Sequence, residues 1–77
     1  MDATKKLDRI IKIHNSLPEE FRPRAYSIES RLNLPRNSIM VYFAKGKAPK
    51  KPNDKIRKFV NRMFDGYEKL DKVFNKQ

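Results

Sequence analysis

Residues 32–43 read LNLPRNSIMVYF. An asparagine, a proline and two short polar residues interrupt apolar positions that otherwise keep helical spacing. Proline cannot continue a helix but can open one. Asparagine tolerates the left-handed conformation in which helices often end. The stretch therefore reads as the end of one helix at Leu32, a tight turn through Asn33 and Leu34, and a new helix over 36–44. Two helices joined this way must bury a face against each other. Ile28, Leu32, Leu34, Ile39 and Tyr42 supply the apolar positions for it.

The rest of the chain keeps the same period. Leu7, Ile10, Ile11 and His14 or Leu17 recur at three- and four-residue steps, predicting a helix over 4–17 with Thr4 or Asp2 as its cap. Ile13 lies off that stripe and widens the buried face. Pro18 and Pro23 bound a loop in which Phe21 is expected to tuck into the core. A short helix is expected over 25–32, with Tyr26 or Ile28 and Leu32 facing inward. Ile39, Tyr42 and Phe43 share one face of the helix over 36–44, and Arg36, Asn37, Met40 and Val41 lie away from it. After the glycine and the two prolines of 45–52, Asn53 or Asp54 can cap a last helix. Its stripe runs through Ile56, Phe59 or Val60, Met63, Phe64 and Tyr67, with Gly66 a weak break, and continues to Leu70, Val73 and Phe74. No segment alternates as a strand does. The expected fold is all-α: one domain over 1–77, a compact bundle of four or five short helices with a helix-turn-helix at about 25–45.

Size limits the core. A domain of 77 residues buries only about 60% of the surface its unfolded chain exposes. With no cysteine and one histidine, His14, neither disulfides nor a cysteine or histidine zinc site is available. Apolar packing must carry the fold. The longest apolar run, 39–44, is far short of the ~20 residues that span a bilayer. The charged N-terminal segment does not read as a secretory signal. The expected location is cytoplasmic, with the nucleoid if the source is bacterial or phage.

Charge points to a partner. Lys and Arg number 19, Asp and Glu 9, giving a net charge of +10. Residues 1–20 balance at zero, residues 21–52 carry +7 and residues 53–77 carry +3. A positive field concentrated in the middle of the chain suits a polyanion. It coincides with the interrupted helix described above.

Residues 28–46, IESRLNLPRNSIMVYFAKG, resemble the helix-turn-helix of the lambda-repressor and Cro-like DNA-binding domains. Ile28, Leu32, Leu34, Ile39 and Tyr42 fall where that family keeps its packing residues, and 44–52 resemble its glycine-plus-basic loop. Two positions depart from the pattern. Glu29 stands where the family usually has a small residue, and Asn33 where it usually has glycine. The resemblance implies a small phage- or plasmid-type transcriptional regulator that places the helix over 36–44 in the major groove of double-stranded DNA. Arg36, Asn37, Ser38, Met40 and Val41 would then read bases, the first two by paired hydrogen bonds to guanine and adenine. Arg22, Arg24 and Tyr26 on one side, and Lys45, Lys47, Lys50 and Lys51 on the other, would hold phosphates. The N-terminus of that helix would offer free backbone N–H groups to an anion.

Other readings stay open. A homeodomain-like binder fits 32–43, but Gly46 and Pro49 break the continuous basic helix such a domain needs. A basic helical RNA-binding module fits the charge, although the aromatic residues fall at core rather than stacking positions. A protein-interaction module would expose an apolar stripe on the last helix. In the DNA-binding reading that stripe, Tyr67, Leu70, Val73 and Phe74, is either a lid on the core or a homodimer face. No serine–histidine–acid or cysteine arrangement, metal-ligand spacing or phosphate-cradling glycine loop suggests an enzyme or a cofactor.

Overall fold

The computed structural model describes residues 2–75, and among them it holds four α-helices and no strand. Helix α1 spans Ala3–Ser16, α2 Ala25–Arg31, α3 Met40–Lys45 and α4 Asp54–Asn75. A single 3-10 turn, Glu19–Phe21, lies between α1 and α2.

Local chemistry sets these boundaries. The Asp2 carboxylate accepts from the Lys5 backbone N–H at 2.9 Å and starts α1. Leu17 precedes a proline and is extended at ψ 149°, so α1 stops there. Asn53 caps α4, its side-chain oxygen accepting from the Ile56 N–H at 2.9 Å. Helix α4 runs unbroken through Gly66.

The core forms chiefly between α1 and α4, with α3 laid against α1. Leu7, Ile10, Ile11, Ile13 and Leu17 are buried on one side, and Ile56, Phe59, Val60 and Tyr67 on the other. Ile28, Leu34, Ile39 and Phe43 close it from the middle of the chain. Fully burying one such aliphatic or aromatic side chain is worth about 1.5–3 kcal/mol, so this single cluster is the main source of stability. Its edge carries a polar group: His14 Nδ1 lies 3.1 Å from the Tyr67 hydroxyl. The imidazole also stacks on Phe43, with centroids 3.9 Å apart and planes 7° from parallel.

One expectation about packing is corrected, and one open alternative is decided. Phe21 does not enter the core. It is 54% exposed on the 3-10 turn and meets Phe74 at 4.8 Å between centroids. Pro18 and Pro23 hold this turn at the surface, and the ring reaches only the end of α4. Of Tyr26 and Ile28, Ile28 is the inward residue and Tyr26 is 63% exposed.

Candidate nucleic-acid interface

The α2–α3 connection is built from two asparagines and one buried carboxylate. Leu32 caps α2, and Asn33 follows at φ 58°. The Leu34 N–H donates to the Glu29 carbonyl at 2.8 Å, and the Asn33 N–H to the Ser30 carbonyl at 3.3 Å. This pair of bonds is a Schellman ending, with asparagine at the position glycine usually takes. Leu34 then turns back into the core beside Ile28.

The helix expected over 36–44 starts four residues later, at Met40. Residues 36–39 form a turn instead, with Asn37 at φ 66°. The reason lies in α2. Glu29 is only 3% exposed. Its Oε1 accepts from the Asn37 N–H at 3.0 Å, and its Oε2 accepts from Ile39 at 2.7 Å and Met40 at 3.2 Å. One side chain thus takes the N–H groups of Ile39 and Met40 at the start of α3 and that of Asn37 in the turn before it. One sequence expectation changes with this. The N–H groups at the start of α3 are occupied from within and are not offered to an external anion, because Glu29 caps them.

The connection between α2 and α3 covers residues 32–39, longer than the three or four residues that join the helices of a DNA-binding helix-turn-helix. Helix α3 ends at Gly46, which takes φ 78° and donates its N–H to the Tyr42 carbonyl at 2.9 Å. The following loop is tied to α1 by two bonds. The Ala48 N–H donates to Asp8 Oδ1 at 2.7 Å, and the Thr4 hydroxyl donates to the Lys50 carbonyl at 3.3 Å.

Among the expected base-reading residues, Arg36, Asn37, Met40 and Val41 are exposed, the last two at 44% and 40%. Ser38 is not available in the same way: its hydroxyl oxygen is shut off from solvent and makes no hydrogen bond. The expected phosphate-binding residues divide. Arg24 and Tyr26 line a depression of about 790 Å³ together with Met40, and Tyr26 also borders Arg36. Glu19 and Glu20 share that depression, so its field is mixed. Arg22 donates from Nε to the Leu17 carbonyl at 3.0 Å and from Nη2 to the Asn15 carbonyl at 2.8 Å. Its guanidinium is largely given to closing the end of α1. Lys45 and Lys47 flank Gly46 and are exposed. Lys50 and Lys51 line a separate depression with Asp2, Thr4 and Arg57, so the loop lysines do not form one cluster.

Burial pushes the His14 imidazole down to about 4, aided by the positive charge of Arg22, and burial raises the Tyr67 phenol. Both are therefore neutral near pH 7. Tyr67 belongs to the core and is not on an exposed stripe. Leu70 is half-buried, and Val73 alone of the four proposed dimer-face residues is widely exposed, at 74%.

Among the described residues no group of acidic, histidine or cysteine side chains could hold a metal ion. No helix among them is long and apolar enough to cross a membrane. No protein family, curated protein or solved structure matches the chain.

Proposed function

We propose that the protein binds double-stranded DNA, with the turn and short helix at residues 36–45 as its reading surface. The observation that carries the proposal is a juxtaposition. Arg36, Asn37, Met40 and Val41 are exposed on a segment whose backbone is fixed by Glu29. That segment lies in the part of the chain with a net charge of +7. Arg36 and Asn37 offer the paired donors and acceptors that guanine and adenine match. Met40 and Val41 offer apolar contact to a thymine methyl. Arg24 and Tyr26 across the depression, with Lys45 and Lys47 after α3, supply phosphate contacts that fix position without reading sequence. The reading fits a small transcriptional regulator acting on a duplex site.

Selection from a pool of random duplexes tests it. The expected result is enrichment of a defined site, with Arg36→Ala relaxing the choice at one position. A Lys45→Ala, Lys47→Ala double variant should weaken all selected sites alike. Absence of any enriched site, or the same change of profile in both variants, overturns the reading.

A further inference from the structure

A second cationic surface is lined by a different set of side chains, Arg24 and Pro23 apart. The end of α2, the turn after it and the first half of α4 border an open groove of about 710 Å³, lined by Arg31, Lys55, Lys58 and Arg62 with Asn33 and Asn61. A smaller groove of about 330 Å³ shares Arg31, Leu32 and Arg62 with it and extends it to Arg24. All five basic side chains are exposed, and no acidic residue lines either part. Lys55, Lys58 and Arg62 follow one another at three and four residues, so they form one edge of α4 about 10 Å long. Leu32 and Met63 are the partly exposed apolar residues of its floor, with Ile28 and Leu34 buried beneath them.

The chemistry of this groove differs from that of the surface around α3. A single strand of nucleic acid is held by cations together with aromatic rings on which bases stack, and no aromatic residue lines either part of the groove. A phosphate backbone has no use for an aliphatic floor. A carboxylate-bearing amphipathic helix uses both features: its apolar face settles on a hydrophobic groove while its flanks meet the rim.

We propose that the α2–α4 groove is a docking site for an acidic amphipathic helix of another protein. Its aliphatic residues pack on Leu32 and Met63. Its Asp or Glu side chains meet Arg31, Lys58 and Arg62. Such a partner can bind while the residues around α3 engage a duplex, because the two surfaces use different side chains apart from Arg24.

The test is fluorescence anisotropy with labelled peptides of about 14 residues. One carries leucines at helical i, i+3, i+4, i+7 spacing among glutamates. A second has the leucines replaced by serine at the same charge. The first should bind at least about tenfold more tightly than the second, and the Arg31→Gln, Arg62→Gln variant should lose about tenfold for it. Both substituted residues are exposed, and circular dichroism checks that the variant folds. Equal binding of the two peptides overturns the proposal and reduces the groove to unspecific attraction. Displacement of the leucine peptide by a labelled single strand or duplex that depends on the same two arginines overturns it in favour of a nucleic-acid surface. Duplex selection with the same variant should give an unchanged site profile, which keeps failure of this proposal separate from failure of the DNA-binding reading.

Discussion

The Oε2 atom of Glu29 accepts a hydrogen bond from the Ile39 backbone N–H at 2.7 Å, within a site where both residues are buried. The same oxygen takes the Met40 N–H, and Oε1 takes that of Asn37. Removing the carboxylate takes the acceptor from three backbone N–H groups, that of Ile39 being buried. Glu29→Ala is expected to cost roughly 3 kcal/mol or more, a large share of the stability of a domain this small. Glu29→Gln keeps one acceptor and should fall between the two. Urea denaturation followed by circular dichroism measures the order; an alanine variant as stable as the parent would remove the capping role.

Acid should unfold the protein partly through His14. Its folded-state pKa, about 4, lies below the ordinary value of 6.5, so between those values the unfolded chain binds the extra proton. Stability therefore rises with pH across that window and is lost as pH falls from about 6.5 to about 4. The full contribution is at most about 3 kcal/mol. His14→Phe keeps a ring against Phe43 and removes the titration, and its melting temperature should depend less on pH between 4 and 6.5.

Gly46 sits at φ 78° with open space where a Cβ would be. Substitution there costs backbone strain and no clash. Gly46→Ala should lose about 1–2 kcal/mol, whereas Gly46→Asn should lose less, because asparagine accepts this conformation. Equal losses in the two variants would point to another cause.

Binding to a duplex should depend on salt in proportion to the phosphates neutralised. Arg22 is given to the end of α1, leaving Arg24, Lys45, Lys47, Lys50 and Lys51 of the expected cations. If all five act, log K falls with log salt at a slope of about −4.5. The separate placement of Lys50 and Lys51 makes a slope near −3 the expected result when only the other three engage one duplex. A titration across salt concentrations distinguishes these values.

The α-helical class, the α1 and α4 stripes and the turn at Asn33 were legible because each is a local pattern: apolar spacing, or a residue type suited to one backbone conformation. Asn33 stands at φ 58°, as its place between Leu32 and Leu34 implies. The start of α3 was not legible. Propensity and the proline at 35 favour a helix from 36. A carboxylate on the preceding helix competes for the N–H groups of 37, 39 and 40, and Asn37 turns left-handed to let it. That bond set spans eight to eleven residues, and no periodicity records it. A glutamate at an otherwise apolar helix position, followed by two asparagines, is the one trace the sequence carries. Phe21 misled for a different reason. Hydrophobicity alone does not place a ring in the core when two prolines hold its backbone outside. At the candidate interface, exposure of Arg36, Asn37, Met40 and Val41 matched their position off the apolar face, but Ser38, two residues after Arg36, closes inward.

Because Glu29 grips main-chain groups, the conformation of residues 36–40 is insensitive to most of the side chains that project from it. Positions 36, 40 and 41 could be randomised together in a combinatorial library without disturbing the clamp, provided 37 stays asparagine, aspartate or glycine. Under the proposed DNA-binding reading, members of such a library would differ in the duplex they recognise while sharing one scaffold, at little cost in folding.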